Sequence, residues 1–126
     1  MAEPEFIGWE VVLQLHEESL RRFGGSAGIR DRSLIESALG AAQNTYFYGR
    51  GDLFDIAAAY AFHIAEAQAF LDGNKRTGVA AALTFLAGNG FLRNPDNQKL
   101  YEAMIAIAEK RMDKTQLAQV FRDLCG

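Results

Sequence analysis

The segment Phe70-Leu71-Asp72-Gly73-Asn74-Lys75-Arg76-Thr77 gathers a carboxylate, a glycine, an amide and two cations where a polar loop opens onto an apolar stretch. The first amides of a helix have no intrahelical partner and carry the positive end of the helix dipole, so a junction of this kind attracts anions. Gly73 lets the main chain approach a ligand, and Gly73 with Asn74 would aim those amides, together with the Asn74 side chain, at phosphate oxygens. Asp72 suits a magnesium ion, which takes few carboxylates and fills its other positions with water and phosphate oxygens. Arg76 can grip a phosphate through two hydrogen bonds, and Lys75 supplies a compact charge. This is the equipment of polyphosphate chemistry, in which positioning and charge neutralisation do most of the work. The same residues also make an ordinary surface turn, since Asp-Gly-Asn is good turn chemistry in its own right. Just before Phe70 stands Gln68, whose amide can hydrogen-bond a hydroxyl but cannot accept its proton near neutral pH.

The elements that must hold this loop are helices. A first helix is expected from about Trp9 to Phe23, with Trp9, Val12, Leu13, His16, Leu20 and Phe23 on one stripe, and Gly24-Gly25 as its left-handed stop. Asp31, or Ser33 with Glu36 as a capping box, opens a second helix to about Ala42. The aromatics and glycines of Asn44 to Gly51 break the pattern and predict a short extended flap or hairpin. Asp52 caps a third helix carrying Leu53, Ile56, Ala57, Tyr60, Ala61 and Ile64. Lys75 to about Ala87 forms a fourth, apolar nearly all round and therefore expected in the middle of a bundle. Gly88-Asn89-Gly90 ends it, and Asn94-Pro95-Asp96 reads as a turn. A fifth helix, about Asn97 to Lys110, is expected to bury Leu100, Tyr101, Met104, Ile105 and Ala108. A sixth begins at Asp113 with Gln116 completing its cap, and buries Leu117, Val120, Phe121 and Leu124. Residues 1–126 thus read as one domain, an all-α bundle of about six helices with a short flap.

Composition narrows the function classes. Hydrophobic and charged contents of 49% and 23% are those of a soluble globular protein. A net charge of −3 and a pI near 5.3 argue against direct binding of nucleic acid. The apolar runs are interrupted well before membrane-spanning length, and Met1-Ala2-Glu3-Pro4-Glu5 shows no secretory pattern. A lone cysteine, Cys125, cannot form an internal disulfide, so a reducing cytoplasm is the expected compartment.

The string Phe70 to Thr77 resembles the core signature of the Fic/Doc (Fido) superfamily. Flanking segments extend the resemblance to the death-on-curing (Doc) toxin branch: Phe23-Gly24-Gly25, Gly28-Ile29-Arg30-Asp31, Leu34 to Leu39, and Asp52-Leu53-Phe54 with Ala57 to Ala65. Fic proteins typically transfer AMP from ATP to a protein hydroxyl, whereas Doc-type proteins bind the nucleotide reversed and phosphorylate elongation factor Tu. The resemblance implies ATP and Mg²⁺ as cofactors, Asp72 as the metal ligand, and Gly73 and Asn74 as the anion-binding turn. It makes Lys75 and Arg76 the phosphate contacts and Phe70 the anchor of the loop. Val79 stands where AMP-transferring members carry a second arginine, which favours phosphoryl transfer. The family's catalytic histidine falls at Gln68 and the proline after it at Ala69. Loss of a general base costs roughly 10²- to 10⁴-fold in rate, so the residue implies an attenuated transferase. The alternatives are a catalytically silent nucleotide- or antitoxin-binding module and an all-α interaction domain without a nucleotide site. A Phd-like antitoxin is the implied partner, its C-terminal segment supplying an acidic residue to Arg76 in a groove beside the flap Asn44 to Gly51. The flap is further expected to dock the protein substrate. His16 and His63 are expected to be satisfied core or supporting histidines, His63 turned away from Gln68.

Overall fold

The computed structural model describes residues 3–93 and 95–126. Met1, Ala2 and Asn94 lie outside the described residues, and with them part of the N-terminal reading and of the turn expected at Asn94-Pro95-Asp96. The helices are α1 (Trp9–Phe23), α2 (Arg32–Phe47), α3 (Leu53–Ala67), α4 (Asn74–Gly88), α5 (Asn97–Ala108) and α6 (Lys114–Cys125). There is no strand among the described residues, so the fold is the expected all-α bundle.

Aspartates start most of these helices. Asp31, Asp52, Asp96 and Asp113 each accept hydrogen bonds from main-chain amides of the first turn. Such caps stabilise the helix starts by satisfying amides that have no intrahelical acceptor. Gln116 reciprocates to Asp113 as expected, and Asp55 does the same for Asp52. Of the two starts open for α2, Asp31 is the one used, while Glu36 pairs with Arg32 instead.

The bundle is built around α3 rather than α4. Every residue from Ile56 to Ala61 is fully buried, and α3 packs against α4, α2 and α6 in decreasing extent. The alanines of this stretch let neighbours come close, and Gly78 of α4 uses that closeness. A Cβ at Gly78 would fall 2.7 Å from the Ala61 carbonyl oxygen. The Tyr60 hydroxyl accepts from the Ile7 amide and donates to the Ile7 carbonyl, fastening the segment before α1 to the core. Burial there pushes the Tyr60 pKa up to about 12.

Two further expectations of the fold fail for identifiable reasons. Asn44 to Gly51 is not an extended flap: α2 continues to Phe47, and Tyr48 to Gly51 turn back onto it. The polar residues of this stretch are accommodated in the helix, where the Thr45 hydroxyl donates to the Ala41 carbonyl. Tyr46 packs on Phe6, but Phe47 is half exposed and Tyr48 is 84% exposed, so these are not all core aromatics. On α5 the buried side carries Leu100, Ala103, Met104, Ala106 and Ile107, leaving Ile105 and Ala108 outside. The one strand-like pairing among the described residues lies instead in the non-helical segment Gly24 to Arg30, between α1 and α2, where Ile29 forms an isolated antiparallel bridge to Phe70.

Candidate functional site

The connection from α3 to α4 is short and held from three sides. Gln68 ends α3 by taking a left-handed conformation, φ 53° and ψ 37°, which costs a non-glycine residue about 1 kcal/mol or more. Its side chain offsets part of that cost. Nε2 donates to the Ala65 carbonyl at 2.9 Å, and Oε1 accepts from the Asn74 amide at 3.4 Å. Ala69 and Phe70 then turn into the core. The Ala69 carbonyl accepts from Arg30 N–H at 2.6 Å, and Leu71 N–H donates to the Gly28 carbonyl at 3.1 Å. From α1, the His16 ring stacks on Phe70 with centroids 3.7 Å apart and an 11° interplanar angle. His16 Nε2 lies 2.8 Å from the Asp72 carbonyl oxygen.

Asn74 works inward. Its Oδ1 accepts from Phe70 N–H and its Nδ2 donates to the Phe70 carbonyl, which closes the loop on itself. The expectation that the Asn74 side chain faces phosphate is thereby corrected, and only its main chain remains for a ligand. Asp72 is exposed, its Oδ1 accepting from Gly73 N–H at 2.8 Å and its Oδ2 from Ser26 N–H at 3.3 Å. The approach of residues 24–28 is close enough that a Cβ at Gly25 would meet Asp72 Oδ2 at 2.7 Å.

Gly73, in the left-handed conformation at φ 77°, is the residue before α4, and among the described residues no side chain caps this helix end. The amides of Asn74, Lys75 and Arg76 have no intrahelical acceptor, the ladder beginning with Thr77 N–H to the Gly73 carbonyl. The Arg76 guanidinium lies 4.8 Å above the Phe23 ring, an arrangement that steadies the cation without neutralising it.

Gln68 and Asp72 through Arg76 line one cleft of about 540 Å³. Its remaining walls are apolar, formed by Phe23, Leu71, Tyr101 and Ile105. These four were not foreseen as site residues. The usable signal is Ile105, a large apolar side chain 46% exposed on the outer side of α5. The cleft does not include the segment Asn44 to Gly51, which rules that segment out as its wall. Val79 is buried in α4 and does not reach the cleft. His63 faces α6, where its Nε2 lies 3.1 Å from Lys114 Nζ. Partial burial, then the Lys114 charge, lowers its pKa from the usual imidazole value.

The arrangement gathers a dipole-positive helix end, two cations, a carboxylate and hydrophobic surface in one cleft. It can bind an anionic group attached to an apolar one. Among the described residues no three His, Cys, Asp or Glu side chains converge as a metal cage. Asp72 is the one carboxylate lining the cleft among the described residues, which fits magnesium held jointly by water and phosphate and does not fit a fully protein-ligated ion.

The family model described as the Fic/DOC family matches residues 7–86. The chain is 31% identical over 118 residues to the protein kinase doc of Escherichia phage P1, covering 93% of each. It is 44% identical over 72 residues to the toxin Doc of Mycolicibacterium smegmatis, covering 54% of each.

Proposed function

The chain belongs to the Fic/DOC family, and we propose that it is a Doc-type toxin that transfers a phosphoryl group from ATP to a protein hydroxyl, attenuated by Gln68. The observation that carries this reading is the convergence of Asp72, Lys75, Arg76 and the open end of α4 on one cleft. The amides of residues 74–76 and the two cations hold the phosphates and take up negative charge as the terminal phosphoryl group leaves. Asp72 would hold Mg²⁺, which when bound neutralises the polyphosphate. Val79, in place of a second phosphate-binding arginine, favours phosphoryl over adenylyl transfer. A translation factor such as elongation factor Tu is the candidate acceptor, and a Phd-like antitoxin the candidate restraint, its C-terminal segment placing an acidic residue against Arg76.

Gln68 supports a second reading. Its amide is tied to Ala65 and Asn74, and it has no capacity to take the acceptor's proton. A protein that binds nucleotide and antitoxin without turnover is consistent with that arrangement.

Calorimetry with ATP and Mg²⁺ tests the shared part of both readings. The parent protein should bind, and Arg76→Ala should weaken binding by about tenfold or more, the scale of one charge-assisted hydrogen bond. No binding at millimolar nucleotide would remove the nucleotide site. Labelling of a translation factor from radiolabelled ATP then separates the attenuated enzyme, which labels slowly, from the silent module, which does not label.

A further inference from the structure

The buried polar side chains among the described residues are His16, Ser19, Asn74 and Thr77, and all four lie around the α3–α4 loop. A buried polar group is costly unless bonded, so a cluster of them at one place needs a reason. Asn74 has one in closing the loop, while His16 plays no part in the reaction outlined above.

We propose that His16 is a positioning residue that fixes the Asp72–Gly73 peptide plane with its carbonyl turned inward, so that this peptide presents no carbonyl oxygen to an anion in the cleft. The geometry is that of a trans peptide, in which the carbonyl and the N–H point in opposite directions. The Asp72 carbonyl points inward to His16 Nε2 at 2.8 Å, and so Gly73 N–H points outward, where Asp72 Oδ1 accepts it at 2.8 Å. A half-turn of this plane would place a carbonyl oxygen beside the phosphates. Gly73, without a side chain, offers little resistance to such a turn, and the lock must come from elsewhere. His16 meets the requirement. A carbonyl only accepts, so Nε2 carries the proton, and stacking on Phe70 fixes the ring in the orientation that delivers it.

The inference rests on the phosphate reading of this loop, and its test separates the two. Binding of inorganic tripolyphosphate is measured by calorimetry for the parent, His16→Leu, His16→Gln and Ser19→Ala, with the Gly73 amide resonance recorded for each. His16→Leu removes the donor and should weaken binding by about tenfold while moving the Gly73 resonance. His16→Gln keeps an N–H at similar reach and should restore both. Ser19→Ala disturbs the same buried layer without touching the lock and should leave both unchanged. Retained affinity and an unmoved Gly73 resonance in His16→Leu would overturn the proposal, as would equal losses in the Leu and Gln variants or in Ser19→Ala. If the parent binds no tripolyphosphate, the phosphate reading fails, and the lock is judged on the Gly73 resonance and on the His16 ring alone. Nitrogen NMR of the parent should find the ring proton on Nε2, and a proton on Nδ1 only would overturn the lock. Should His16→Leu not fold, the Gln variant and the ring tautomer decide.

Discussion

Gln68 occupies a left-handed turn and uses both ends of its amide there, one on the Ala65 carbonyl and one on Asn74. A histidine at this position would give up that bracing, at a net cost of about 1 kcal/mol, and gain an imidazole able to take a proton. Gln68→His is therefore expected to lower the melting temperature slightly while raising the single-turnover rate of phosphoryl transfer by roughly 10²-fold or more. Gln68→Ala should lose the bracing without the gain. The rates are compared with radiolabelled ATP at saturation and a translation factor as acceptor. If the parent already matches the histidine variant, the base lies elsewhere. The chemical residues of this site were legible in the sequence because they are contiguous, from Gln68 to Arg76. Phe23, Tyr101 and Ile105 were not, because they are apolar, far apart in sequence, and brought together only by the packing of α1 and α5 around the loop.

At the scale of elements, the tightest contact is the crossing of α3 and α4. A methyl group at Gly78 would stand 2.7 Å from the Ala61 carbonyl, a backbone atom that cannot move aside cheaply. Gly78→Ala should force the two helices apart and destabilise the protein by about 1–3 kcal/mol, the usual cost of overpacking, even though alanine is the better helix former. Chemical denaturation measures it, and a stabilised variant would show that the crossing can relax. Helix starts were readable because aspartate caps announce them, and α6 with Asp113 and Gln116 is the plainest case. The end of α2 was misread because Asn44, Thr45 and the following aromatics are weak helix formers. Tertiary packing of Tyr46 against Phe6, and the internal bond of Thr45, override that weakness. On α5 a stripe through Ile105 and Ala108 and one through Ala103, Ala106 and Ile107 both fit a helical period. Only the position of the neighbouring helices decides between them.

For the whole molecule, the response to acid follows from two places where α6 meets α3. His63 has its pKa lowered by burial and by Lys114. Its contribution to stability is therefore intact above the unfolded value near 6.5 and is lost as pH falls below it toward the lower folded pKa. Asp52 follows at lower pH. Partial burial works to raise its pKa, but the Asp55 amide and the Arg122 guanidinium outweigh that and hold it below 3.8. Its stabilisation is present above the unfolded pKa and is lost as pH falls through the folded one. Melting temperature against pH should thus decline in two steps. His63→Gln should flatten the step below pH 6.5 while leaving the acidic one, and an unchanged profile would remove His63 as its source.

The uncapped start of α4 also has a consequence in time. Amide protons exchange with water at rates set by the free energy of opening, and those without an acceptor need no opening at all. The amides of Lys75 and Arg76 should exchange at nearly the rate of an unfolded chain. A turn or so further along the same helix, the amides of Val79, Ala81 and Ala82, buried in the core, should be among the slowest in the protein. The steepest gradient of protection would then lie within α4, and an anion seated at its end would register as a slowing of the first amides while the rest of the helix keeps its pace.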